Sequence, residues 1–181
     1  MTVASSLHHA LDWSVGPAVD GETWFVLRTK SRHEKILADD LEARGISHFL
    51  PLVNCVRYYG QRKARVEVPL FPGYLFLRGT HEQAYEADRT HRVAQIIPVV
   101  DQAQLDWELR NICVAIANHA TLDPYPYLHK GLRVEVRSGP FRGLQGVIED
   151  RTKRNRLILQ VDILGRAAGL EVDGDLLDLV D

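Results

Sequence analysis

Leu70-Phe71-Pro72-Gly73-Tyr74-Leu75-Phe76-Leu77 is the stretch on which the reading of this fold turns. Pro72-Gly73 punctuates the chain, and the unbroken aromatic and aliphatic run after it predicts a strand. Side chains two apart on a strand share a face, so Tyr74 and Phe76 lie together while Leu75 and Leu77 line the opposite side. One face therefore carries rings, and an aromatic face left open to solvent is a protein docking site.

Working toward the N-terminus, Trp24-Phe25-Val26-Leu27 reads as a second strand, buried on both faces. Ser31 followed by Glu34 has the form of a reciprocal capping box, which predicts a helix over about 31–44 with Ile36, Leu37 and Leu41 inward and Gly45 at its end. Residues 1–20 show no sustained period and read as a loose arm. Between these elements and the deciding stretch, two segments around Phe49–Tyr59 and Arg65–Leu70 flank Gly60-Gln61-Arg62-Lys63, the pattern of a hairpin with a basic turn. Toward the C-terminus, Thr80 with Gln83 repeats the capping box, and Gln95–Val100 is a strand placed on a sheet edge by Pro98. Asp101 and Gln104 open a helix in which Leu105, Leu109, Ile112 and Ile116 form one apolar stripe against a sheet. Strands and helices interleaved in this way predict an α+β domain over residues 21–119.

Asp123-Pro124-Tyr125-Pro126-Tyr127 cannot continue a helix, so residues 120–128 read as a linker. Beyond it the apolar period changes to two, at Leu132, Val134 and Val136, then Val147 and Ile148, then Leu157, Leu159, Val161 and Ile163, with glycines between. Several short strands in residues 129–181 predict a small closed β-barrel, because closure removes the edges of so short a sheet. Within it, Gly139 suits a positive φ ahead of Pro140, and Gly146 suits close backbone approach.

The chain has 181 residues, 45% hydrophobic and 25% charged, the composition of a globular protein of one or two domains. No run is long and apolar enough to span a bilayer, and the N-terminus lacks a secretory pattern, so the expected location is the cytoplasm with no membrane partner. Twenty-two Lys and Arg against 24 Asp and Glu leave a net charge of −2, so any nucleic acid must be met by a local patch. Two such patches stand out. Arg28, Lys30, Arg32, His33 and Lys35 are opposed only by Glu34, and Arg57, Arg62, Lys63 and Arg65 form an acid-free cluster at the hairpin tip. Cys55 and Cys113 read as small buried hydrophobes, and the eight histidines show no metal-ligand spacing. Nucleophile-elbow, phosphate-loop and dinucleotide-binding motifs are missing, so neither a catalytic residue, a cofactor nor a metal is expected.

These residues resemble the NusG/Spt5 family of transcription elongation factors. The likeness rests on Trp24–Leu27, the Ser31, Glu34 and Lys35 helix opening, the FPGYLFL run at 71–77, the prolyl linker, VEVRSGPFRGLQGVIED and RLILQVDILGR, and covers about residues 22–180. It implies an α+β NGN domain, an antiparallel sheet flanked by helices, joined to a five-stranded SH3-like KOW barrel. It further implies a non-enzymatic factor, expected to be a monomer, that suppresses pausing or termination by bridging the β′ clamp helices and β gate loop of RNA polymerase. Carried over by position, Trp24, Phe71, Tyr74 and Phe76 would form the polymerase-binding pocket, and Thr80–Tyr85 the gate-loop side. Lys30, Arg32, His33 and Lys35 would face upstream or non-template DNA. Ile163, Leu164, Gly165 and Arg166 would contact a partner of the KOW domain, Rho or the ribosomal protein NusE. Leu164 and the following Ala167-Ala168-Gly169-Leu170 depart from the housekeeping pattern, which leaves that partner open. The segment RYYGQRKARVEVPLFPGYLFLRG looks closer to the specialised RfaH-like antiterminator paralogues. The rival expectation is a free-standing KOW-type RNA-binding or ribosome-associated protein, which the balanced charge of residues 129–181, nine basic against nine acidic, speaks against.

Overall fold

Apolar β-branched and aromatic runs become strands here, and the segments between them follow their caps and turns. The computed structural model describes residues 21–150, 152 and 155–180, so the arm expected over 1–20 lies outside the described residues. In chain order the elements are β1 (Thr23–Thr29), α1 (Glu34–Ala43), β2 (His48–Phe49), β3 (Leu52–Tyr59) and β4 (Arg62–Pro69). Next come β5 (Tyr74–Gly79), α2 (His81–Asp88), β6 (Val93–Pro98), α3 (Gln102–Ala117) and β7 (Asp123–Tyr125). The last strands are β8 (Leu132–Val136), β9 (Gln145–Ile148), β10 (Arg156–Val161), β11 (Arg166–Glu171) and β12 (Leu177–Leu179). The described residues form two compact units, one from those up to Leu50 with Phe71–Gln102, the other from Pro51–Leu70 with those from Ala103 onward.

The first unit is a four-stranded antiparallel sheet in the order β2-β5-β1-β6. β1 is an inner strand, and Trp24, Phe25, Val26 and Leu27 are all buried, as expected of a strand covered on both faces. Pro98 ends β6 on the sheet edge, where its missing amide costs no ladder bond. Thr80 and Gln83 form both halves of the capping box at the head of α2. Phe25 packs edge-on against His81 of that helix, with ring centroids 5.1 Å apart.

Helix α1 departs from the sequence expectation. It begins at Glu34, with His33 in the N-cap position and no side-chain cap, because Arg32 adopts φ 62° and turns the chain before the helix can start at Ser31. Glu34 does not reach back to Ser31. It is buried, and its Oε1 accepts the Gly73 amide at 2.7 Å. Leu37 and Leu41 point inward as expected, but Ile36 is exposed. Gly45 stops the helix at φ 67°.

In the second unit, β3 and β4 form their own two-stranded sheet with a two-residue turn at Gly60-Gln61. α3 buries Leu105, Leu109 and Ile112, with Ile116 half-buried. The C-terminal strands run in the order β12-β8-β9-β10-β11-β7. Among the described residues no pairing joins β12 to β7, so the sheet is open where the strand spacing predicted a closed barrel. The segment read as a linker contributes a strand of its own. β7 pairs with β11, placing Tyr125 opposite Ala167 and Asp123 opposite Gly169. Gly146 sits where a Cβ would lie 2.6 Å from the Ile158 carbonyl, which is the close approach its position predicts.

Candidate functional site

The aromatic set expected to form a pocket is mostly core. Trp24, Phe71 and Phe76 are 3%, 2% and 0% exposed. Phe76 touches Phe49 and Phe71 with ring centroids 6.4 Å and 6.5 Å away, and the Arg78 guanidinium lies 5.9 Å over the Trp24 ring. The expectation of an open ring-lined face is thereby corrected. Rings on one face of an inner strand are the cheapest way to fill the space above it, and burying each one removes some 150–250 Å² from water. Tyr74 is the exception, half-buried and directly opposite Arg28 in the β1–β5 register.

The basic residues next to it are on the surface. Arg28, Lys30, Arg32 and Lys35 are exposed and His33 is half-buried. Backbone bonds set the course of this turn. The Thr29 amide donates to the Gly73 carbonyl and the Lys30 amide to the Arg92 carbonyl, both at 2.8 Å, and the His33 amide closes a turn onto the Lys30 carbonyl at 3.1 Å. Gly73, at φ 87°, serves both sides of this junction, accepting from Thr29 and donating to Glu34. Arg28, Lys30 and Arg32 form no ion pair with any described residue. The one acid inside the run, Glu34, is turned inward, so the turn presents cations unopposed by it. On α2, Tyr85 is exposed beside the capped turn at Thr80.

In the second unit, Ile163 and Leu164 lie in a short 3₁₀ turn over Asp162–Leu164, and Gly165 comes next at φ 58°. Ile163, Gly165 and Arg166 are exposed and Leu164 is half-buried. A cavity of about 250 Å³ lies in the same unit, with Trp107, Glu108, Asn111, Tyr127, Arg133 and Asp162 among its walls. Glu108 Oε1 accepts from the Asp162 amide at 3.1 Å and from Gln104 Nε2 at 2.9 Å, and Asn111 Oδ1 accepts from the Gln145 amide at 3.0 Å. Burial pushes the Glu108 carboxyl up to about 7 against the pull of these hydrogen bonds. Sequence patterning singled out neither Glu108 nor Asn111. They fall on the apolar stripe of α3, at three places after Leu105 and one before Ile112, and polar residues on a buried stripe signal a specific partner. Burial also raises the Cys113 thiol, which keeps it protonated. Among the described residues no His, Cys, Asp and Glu side chains group to hold a metal ion, and no helix is long and apolar enough to cross a membrane.

An antiparallel sheet with helices, carrying an exposed basic turn, has the architecture of a domain of the NGN type. Over residues 22–109 the chain matches the family model described as NusG: Transcription termination factor nusG, a match that supports membership of the NusG/Spt5 family through its NGN domain. That family consists of non-enzymatic transcription-associated factors that generally bind RNA polymerase. No curated protein matches the chain.

Proposed function

We propose that this protein is an elongation or antitermination factor whose NGN domain, residues 21–119, bridges the β′ clamp helices and β gate loop of RNA polymerase. The observation that carries the reading is the family match, which spans the basic turn and the whole sheet that holds it. Bridging two jaws favours the closed polymerase by whatever binding energy the open form lacks, so pausing falls without any bond being made. Polymerase would meet Tyr74 and Arg28 rather than the buried rings, which act by shaping the sheet beneath them. Lys30, Arg32, His33 and Lys35 would face upstream or non-template DNA. The C-terminal sheet would be a KOW-type module over residues 129–181, joined through 120–128, and its Ile163–Arg166 turn would recruit Rho or NusE. The protein would act as a monomer in the cytoplasm, and the hairpin sequence favours a specialised RfaH-like paralogue.

A reconstituted elongation complex tests this. Wild-type protein should crosslink to upstream DNA, and Lys30→Ala with Arg32→Ala should lower that yield on the order of tenfold at physiological salt. Arg28→Ala with Tyr74→Ala should weaken binding to core polymerase at least about fivefold. Unchanged polymerase binding in the second variant would remove the proposed contact face, and undiminished crosslinking in the first would return the turn to ordinary solvated surface.

A further inference from the structure

The hairpin tip carries a second constellation, for which polymerase bridging by the first unit has no use. Residues 55–66 hold four cations, Arg57, Arg62, Lys63 and Arg65, two tyrosines and no acid. All six side chains are exposed, Tyr58 at 70% and Tyr59 at 60%. None of them forms an ion pair, side-chain hydrogen bond or ring contact with a described residue. Two phenol rings standing in water on a paired ribbon contribute nothing to a core, and four unopposed cations repel one another.

The register distributes them evenly. Tyr58 is opposite Lys63 and Val56 opposite Arg65, so these four share one face. Tyr59 is opposite Arg62 and Arg57 opposite Ala64, and they share the other. Each face of the ribbon therefore presents one ring and two cations. Lys63 and Arg65 are separated by about 7 Å along the strand, comparable with neighbouring phosphates in an unstacked strand. We propose that the Tyr58/Tyr59 hairpin tip is a binding site for single-stranded nucleic acid, with bases stacked on the two tyrosines and phosphates held by Arg57, Arg62, Lys63 and Arg65. An acidic peptide would satisfy the cations and leave both rings in water, whereas an unpaired base offers the π-face that each ring lacks. A duplex keeps its bases stacked internally and offers only phosphates. Base stacking and phosphate pairing do not use the ribose 2′-hydroxyl, so DNA and RNA strands are bound alike.

Fluorescence anisotropy on the full chain, without polymerase, tests the site independently of the proposed function. The probes are labelled oligo-dT and oligo-rU of about fifteen nucleotides and a blunt duplex of the same length. Wild type should bind the two single strands within about threefold of each other and the duplex at least about fivefold more weakly. Tyr58→Ala with Tyr59→Ala should cost at least about fivefold, and the Phe pair should restore it. Arg62→Ala with Lys63→Ala should lower the slope of log affinity against log salt by about 1.4. Arg44→Ala with Arg89→Ala, which removes two exposed cations away from the tip, is the control and should leave oligo-dT binding unchanged if the tip is the site. Duplex binding equal to single-strand binding, an Ala pair no weaker than wild type, or displacement by polyglutamate as effective as by unlabelled oligo-dT would each overturn the proposal. The substituted side chains are exposed, and an unchanged circular dichroism spectrum verifies that each variant remains folded.

Discussion

Glu108 is 3% exposed, yet it carries a titratable carboxyl against the Asp162 amide. Desolvation is the largest cause of its rise to about 7, and the nearby Asp162 charge adds to it. Because the folded value lies above the unfolded one, Glu108 favours the folded state most at low pH. That contribution fades as pH climbs through about 7. Tyr127, His129, Arg133 and Asp162 line the same cavity and are common to wild type and variant. Comparison with Glu108→Gln, which keeps an acceptor for the Asp162 amide, therefore isolates the carboxyl. Between pH 5 and pH 8 wild type should lose on the order of 2 kcal/mol more urea stability than Glu108→Gln. Parallel pH profiles would show that the carboxyl is not desolvated in the folded chain.

At the scale of elements, two capping boxes of the same written form behave differently. Thr80 and Gln83 satisfy each other's backbone amides, so Thr80→Ala should cost about 1 kcal/mol in thermal or urea unfolding. Ser31→Ala should cost less than about 0.5 kcal/mol, since Ser31 caps nothing. Equal losses would mean that Ser31 does cap α1. The difference was not legible from spacing. A capping box is a local pattern, and at Ser31 it lost to a long-range partner, because the Gly73 amide at the bend before β5 takes the carboxylate that the box needed. Where a pattern is decided locally, the sequence served well. Pro98 placed β6 on an edge, Gly45 ended α1 and Gly146 marked a close approach. The aromatic run at Tyr74–Leu77 gave its strand for the same reason, but which rings stayed in solvent depended on packing that alternation cannot report, and only Tyr74 remained near the surface.

For the whole molecule, composition suggested a break at residues 120–128, because two prolines end a helix in any context. The segment is nonetheless ordered. Tyr125 pairs with Ala167 across the sheet, the Tyr127 hydroxyl donates to Asp162 at 2.9 Å, Gln160 donates to the Leu128 carbonyl at 2.9 Å, and Arg156 pairs with Asp123 at 3.1 Å. Leu122 is buried. A segment tied at so many points must open locally before a protease can thread it, and each tie that must break lowers the open population. The two-residue turn at Gly60-Gln61 has no such ties, and Gly60 and Gln61 are both exposed. Limited digestion with a protease of broad specificity should therefore cut near Gly60-Gln61 well before 120–128, by about an order of magnitude in rate. Mass spectrometry of the first fragments reads the order directly. Initial cleavage within 120–128 would mean that the segment is a free tether, and that β7 and its contacts do not hold in solution.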